Sequence, residues 1–400
     1  MPRKLSICHV ITRMIIGGAQ ENTLYTIQGH LEKGHQVTLI TGESQGPEGN
    51  LLKNSCPLGM HLIEIPDLIR AIHPVKDWKA YRQLLRIFKE QKFDVVHTHA
   101  SKAGILGRLA ADKAKIPFIV HTVHGQAFHP YQARWKNWLY IALEKYAAQH
   151  CHKIFAVAQA MIEQAVKAGI APRRKYRVVY SGMDLQAFMS SRPDADLRQS
   201  LGLPEGAPVV GKIARIFELK GYETLVEAAP AIIAEIPEVR FLLVGDGILR
   251  PAIEKKIAQL GLQKHFIFAG LVPPQEVCRY TAFMDVLTHL SLREGLPRTA
   301  VQALASAIPV VAYPLDGTPE VVLDGLTGFL CEPENAGQVA ERVLFLLKHP
   351  DERRKMGRNG QQLVRKLFDW HLMAEILEQE YYHGVNPDND EKVGRRNLLI

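Results

Sequence analysis

Two doubly wound α/β domains in series are predicted by three observations on this 400-residue chain. Short apolar runs alternate with longer amphipathic segments along its length, which implies parallel sheets covered by helices on both faces. The runs fall into two sets, and a chain of this size is about two domains long at roughly 100–200 residues each. Hydrophobic residues make up 47% of the chain, enough for two ordinary cores. In such folds ligands lie in the crevice at the carboxyl ends of the strands.

The first set of apolar runs is Leu5–Ile11, Gln36–Thr41, Val95–Thr98, Phe118–His121 and Ile154–Ala158, with Val178–Tyr180 closing it. Each is short and rich in β-branched or aromatic residues, as in strands buried on both faces. The stretches Leu24–Lys33 and Asp77–Gln91 between them read as helices. Met189–Leu197 is polar and irregular and marks the boundary. The second set is Val209–Ala214, Arg240–Val244, Phe266–Phe268, Val286–His289 and Val310–Ala312, with helical patterns at Thr224–Glu235 and Val339–Leu347. Trp370–Tyr382 reads as a last amphipathic helix, and from Asn386 the chain reads as a loose tail. The division is therefore 1–188, a linker 189–197, 198–369, a helix 370–385 and a flexible tail 386–400. The pairs Asp194/Asp196 and Asp388/Asp390 fall in linker and tail and are not read as a metal site.

The net charge of +8 is unevenly spread. Residues 1–190 carry 25 Lys+Arg against 13 Asp+Glu, a net +12, and residues 191–400 carry 24 against 28, a net −4. A basic first half suits nucleic acid, an anionic membrane face or a phosphate-bearing substrate, and equally a soluble domain with a basic surface. Five cysteines (Cys8, Cys56, Cys151, Cys278, Cys331) are scattered and odd in number, which points to reduced, cytoplasmic chemistry without a zinc site or disulfide framework. The segment Leu5–Thr12 is too short and mixed for a signal peptide, and no apolar run approaches the ~20 residues that span a bilayer. Any membrane contact is expected to be peripheral, on the inner face of the plasma membrane.

The richest stretch is Ser291-Leu-Arg-Glu-Gly-Leu-Pro-Arg298, running through Gln302 to Ile308–Ala312. A carboxylate, Glu294, stands beside the Gly295 turn, and Leu296, Pro297 and Arg298 lead into an alanine-rich helix. Free backbone N–H groups and the positive helix end thus lie beside an acidic side chain. A diphosphate can rest on those groups while the carboxylate meets sugar hydroxyls. Arg215 and Lys220 follow the strand Val209–Ala214 and place two cations at a strand end, where they suit a leaving diphosphate; alone, such a pair is usually a solvated surface. Gly17-Gly18-Ala19-Gln20 follows the first strand, where glycine permits close backbone approach and a helix end attracts anions. It lacks the three-glycine spacing of a dinucleotide fingerprint, which argues against a nicotinamide enzyme.

His97, His99, His121, His124 and His129 crowd two strand ends, yet no carboxylate or cysteine stands at ligand spacing, so no metal site is expected. Gly245-Asp246-Gly247 is a strand-end turn, where an Asp commonly just caps the following helix, and it is read as structural. Tyr131–Tyr140 and Lys76–Lys92 mix aromatics with cations and could lie on anionic lipid. An aromatic stripe at helical spacing is more often core, and Trp135 and Trp138 are expected there.

Together these segments resemble glycosyltransferase family 4 over about residues 5–383. The resemblance implies the GT-B architecture, two facing Rossmann-like domains with the C-terminal helix crossing back to the N-terminal one. It implies retaining transfer of a sugar from a UDP- or GDP-sugar to an acceptor hydroxyl, a hexosyl transfer without metal or other cofactor. The family's habit is cell-envelope or exopolysaccharide assembly, with a lipid-linked sugar or polysaccharide as acceptor and no nucleic acid partner. By the same likeness Glu294 contacts the transferred sugar, Arg215 and Lys220 are diphosphate ligands, and Gly17, Gly18, Gly295, Leu296, Pro297 and Arg298 adjoin the donor. His124 matches the family's Thr-x-His-Gly histidine near the donor sugar, with His121 structural. Ala269–Val272 resembles the base-binding loop, so Gly270 and Val272 face the nucleobase. Closure of the two domains would exclude water.

Two positions depart from the family. Gln20 replaces a Glu in the glycine loop, and Gln302 replaces the second Glu, eight positions after Glu294, that binds ribose. Two other readings stand beside the transferase: a nucleotide-sugar epimerase of similar fold, and a non-catalytic homologue that binds a nucleotide sugar.

Overall fold

The computed structural model describes residues 3–44, 49–53 and 56–386. The chain forms two compact units. One holds residues up to Met183 together with those from Trp370; the other is Asp184–Asp369.

The first unit is built on β1 (Ser6–Ile11), β2 (Gln36–Thr41), β3 (His61–Glu64), β4 (Val95–His99), β5 (Phe118–Val123), β6 (Lys153–Ala156) and β7 (Tyr176–Val178). They form one parallel sheet in the order β3-β2-β1-β4-β5-β6-β7. The second unit holds β8 (Val209–Ile213), β9 (Arg240–Val244), β10 (Phe266–Gly270), β11 (Val286–His289), β12 (Val310–Ala312) and β13 (Gly328–Leu330). Their parallel order is β10-β9-β8-β11-β12-β13. In both sheets strand order reverses beside the first strand, between β1 and β4 and between β8 and β11. A doubly wound sheet opens its ligand crevice at such a reversal. The carboxyl ends of β8 and β11 deliver Ala214–Lys220 and Leu290–Glu294, so the reversal positions the predicted diphosphate and sugar residues.

Two edge strands escape the sequence reading. β3 is mostly exposed and mixed in character, and β13 is three residues long. β7 spans Tyr176–Val178 rather than Val178–Tyr180 because Ile154–Ala156 of β6 pair with those three residues. The last helix, Trp370–Val385, begins where expected, whereas four others are longer than expected at their starts: Gly18–Glu32, Pro74–Gln91, Tyr222–Glu235 and Ala336–Lys348. Caps explain two of these. The His73 ring accepts from the Lys76 N–H with Pro74 in the first turn, and the Asn335 side chain accepts from the Gln338 N–H. Residues 189–197 are not irregular throughout: they contain the end of helix Gln186–Ser190 and the start of helix Ala195–Ser200, which Asp194 caps. Of the expected tail, residues 387–400 lie outside the described residues, Asp388 and Asp390 among them.

In the second unit, β-strand side chains Val210, Phe241, Leu243 and Val311 bury against Leu225, Ile232, Val339 and Val343 of the covering helices. In the first, Leu5, Ile7, Val95, Val120 and Phe155 bury against Trp370, Met373, Ile376, Leu377 and Tyr381 of the last helix. That helix also packs on Gly18–Glu32, where a Cβ at Gly29 would collide with Ala374. Lys33 and His35 reach its Glu378 at 2.6 and 2.8 Å.

Trp135 and Trp138 are not core residues. They are 65% and 71% exposed, because their helix, Arg134–Gln149, meets the domain through Ala147 and Ala148 at its far end. Among the described residues no helix is long and apolar enough to cross a membrane.

Candidate active site

In the second unit Lys220 and Glu294 meet. Lys220 Nζ donates to Glu294 Oε1 at 2.6 Å, with both side chains about one-fifth exposed. The backbone forces this meeting. Leu219 has φ +64° and Gly221 φ +66°, left-handed values that turn the chain sharply after β8. The Leu292 N–H donates to the Leu219 carbonyl, stitching this turn to the loop that carries Glu294. A Cβ on Gly221 would collide with the Leu290 carbonyl, so glycine is required there.

The Glu294 backbone N–H donates to Asp316 Oδ2 at 2.7 Å, and the Gly317 N–H donates to the Gly295 carbonyl. Burial alone would push the Glu294 carboxyl up. Lys220, His289 and the Ser291 hydroxyl outweigh burial and hold it below its ordinary range, so it is a carboxylate at neutral pH. His289, at the end of β11, has its pKa lowered to about 4, chiefly by burial. Its Nε2 is 3.6 Å from Glu294, too far for a hydrogen bond.

Pro297 precedes helix Arg298–Ala305, whose first carbonyl-bound N–H groups are those of Ala300 and Val301. The turn Gly295–Arg298 therefore runs directly from the carboxylate to a helix start, as an anion site requires. Gln302 lies one turn on and is half-buried. Arg215 is exposed and lies over the Phe217 ring at 5.1 Å. Gly270 ends β10 with φ +72° and accepts from the Gly245 N–H at 2.8 Å; Val272 follows it, half-buried. Gly245–Gly247 braces this end of the unit: the Ile216 N–H donates to the Asp246 carbonyl, and Asp246 takes Arg250 at 3.0 Å.

Sequence reasoning missed three residues here: His289, Asp316 and Lys212. Lys212 is buried within β8 with its pKa lowered to about 7, by burial first and then by Lys220. A lysine in an otherwise apolar strand, Val209-Val-Gly-Lys-Ile213, was the available signal.

Gly17, Gly18 and His124 belong to the first unit. Gly17 and Gly18 open helix Gly18–Glu32 after β1, and the Gln20 amide donates back to the Arg13 carbonyl. His124 follows β5 and is linked to a buried row: His124 Nε2 to His99 Nδ1 at 3.1 Å, then His99 Nε2 to His9 Nδ1 at 3.0 Å. His9, His97 and His99 bring possible metal-ligand atoms within 4.8 Å of one another. Most of their nitrogens are engaged with other side chains, but His9 Nε2 is buried with no hydrogen-bond partner among the described residues. His97 is bonded to the Tyr381 hydroxyl at 2.5 Å and to the Thr122 hydroxyl at 2.6 Å, and the His9 and His99 rings stack rather than converge. His121 is bonded to Thr98 at 2.9 Å and packs on Gly104.

Residues 193–363 match the family model described as "Glycosyl transferases group 1", and residues 16–187 match "Glycosyltransferase Family 4". The chain is 30% identical over 333 residues to the UDP-Gal:alpha-D-GlcNAc-diphosphoundecaprenol alpha-1,3-galactosyltransferase of Escherichia coli, covering 82% of this chain and 84% of that one. Its fold is similar to a glycosyltransferase from Rickettsia africae (TM-score 0.82, 20% identity, 96% of this chain and 99% of that one). It is also similar to Alr3699/HepE of Anabaena in complex with UDP and glucose (TM-score 0.79, 20% identity, 94% and 99%).

Proposed function

The chain belongs to glycosyltransferase family 4 and uses a sugar-nucleotide donor, and from that premise we propose that it moves a hexose from a UDP-sugar to a lipid-diphosphate-linked sugar, with retention and without metal. The observation that carries this is the Lys220–Glu294 pair at the β8/β11 reversal, a cation for the diphosphate held 2.6 Å from a carboxylate for the sugar. Donor binding separates their tasks. Arg215, Lys220 and the backbone of Leu296–Arg298 offset the charge that builds on the departing diphosphate. Glu294, ionised and fixed through Asp316, accepts from hydroxyls of the transferred sugar. An epimerase would need a general acid–base pair at the sugar, and His289, buried and neutral, is no acid at neutral pH.

UDP as the nucleotide is supported by the galactosyltransferase likeness. The acceptor class is supported by the basic first half and by the exposed stripe Trp135, Trp138 and Tyr146, with Lys136 over the Trp135 ring at 5.6 Å, which suits an anionic lipid face.

The test is nucleotide release across a panel of UDP- and GDP-sugars, wild type against Glu294→Ala. Slow release from one donor, lost in the variant, is the expected result. Release unaffected by the substitution would remove Glu294 from the reaction.

A further inference from the structure

One buried cation is left over once the donor site is assembled. Lys212 lies on β8 and is 1% exposed, where a lysine is expected to be paired or to serve a ligand. Among the described residues no hydrogen bond reaches its ammonium. Its contact is the face of Tyr222, with Nζ 4.9 Å from the ring centroid. The charged and titratable groups facing it come from three places: Lys220 on the loop after β8, Tyr222 and Glu223 at the start of the covering helix, and His289 and Glu294 at the end of β11. Lys220 and Glu294 are committed to each other, so neither neutralises Lys212 outright. On the same face of the strand Val210 is wholly apolar core, and a methionine would fill the position of Lys212 without a buried charge.

We propose that Lys212 is a third cation of the donor site, a buried counter-charge that acts on the diphosphate through Lys220 and Glu294; this rests on the nucleotide-sugar reading above. When a diphosphate engages Lys220 and a sugar engages Glu294, negative charge arrives beside a lysine whose ammonium form is only partly populated near neutral pH. That charge favours the ammonium form, so donor binding draws one proton from solvent onto Nζ. Lysine suits this role and arginine does not, because arginine stays charged in the empty site as well. Lys212 is thus a positioning residue whose charge follows the ligand.

The experiment is calorimetric titration of the full chain with UDP-galactose, UDP-glucose and GDP-mannose at pH 8, in two buffers of different ionisation enthalpy. Wild type should take up about one proton per donor bound. Lys212→Met and Lys212→Arg should both lose the uptake. The methionine variant should bind about tenfold more weakly, and the arginine variant within about threefold of wild type. Lys212→Met should also melt at a higher temperature than wild type, which separates loss of uptake from loss of fold. Buffer-independent heat in wild type, or uptake that persists in both variants, overturns the proposal and leaves the donor reading standing. If wild type binds none of the three, the donor reading falls and this proposal with it.

Discussion

Single residues decide how the donor site titrates and how tightly it binds. Lys220 is the counter-charge that keeps Glu294 ionised against burial. Lys220→Met should cost roughly 10²–10³-fold in kcat/KM, as loss of one charge-stabilising donor does. It should also move the acid limb of the pH–rate profile upward, because burial alone raises the carboxyl. An unmoved limb would show that ionisation of Glu294 does not set the rate. Gln302 keeps an acceptor oxygen but lacks the charge of the family's ribose-binding Glu. A charge-assisted hydrogen bond contributes roughly 1.5–3 kcal/mol against about 1 for a neutral one. The difference, roughly 0.5–2 kcal/mol, means Gln302→Glu should tighten donor binding by roughly twofold to thirtyfold and leave kcat nearly unchanged; a large fall in kcat would place Gln302 nearer the chemistry.

Among the elements, helix Arg134–Gln149 shows what spacing alone does and does not reveal. Aromatics at positions 135, 138 and 146 share one face, but a shared face does not say which way it points. Only the pairing of β4, β5 and β6 settles that, and it leaves Trp135 and Trp138 in solvent. Replacing both by alanine should leave the melting temperature unchanged and reduce co-sedimentation with vesicles rich in phosphatidylglycerol; undiminished binding would locate any lipid contact elsewhere. The central strands were legible because their runs of Val, Ile and Leu are buried on both faces. The edges β3 and β13 were not, since an edge strand needs only half that apolarity and three residues of ladder. The same contrast holds at the site. Glu294, Lys220 and Arg215 lie at strand ends in a recognisable pattern, whereas Asp316 reaches Glu294 across 22 residues of sequence, a contact that no local spacing signals.

Over the whole molecule the buried histidines set an acid limit. His9, held at about 3 by burial, and His30, His97, His99 and His121, also pushed down chiefly by burial, are neutral in the folded chain. Unfolded, each takes a proton below about pH 6.5. The unfolded state thus binds more protons as pH falls, and stability is full above pH 6.5 and is lost progressively below it. Melting temperatures across pH 8 to 4 should fall steadily under pH 6.5; a flat curve would mean that the row is already solvated. The last helix, Trp370–Val385, carries a different consequence. It completes the first unit, yet a ribosome makes it only after all of Asp184–Asp369. The nascent first unit must wait with Ile7, Val95, Val120 and Phe155 uncovered, while the second unit, made later, has every strand it needs and can finish earlier. Truncation before Trp370 should accordingly leave an aggregation-prone first half attached to a well-folded second one.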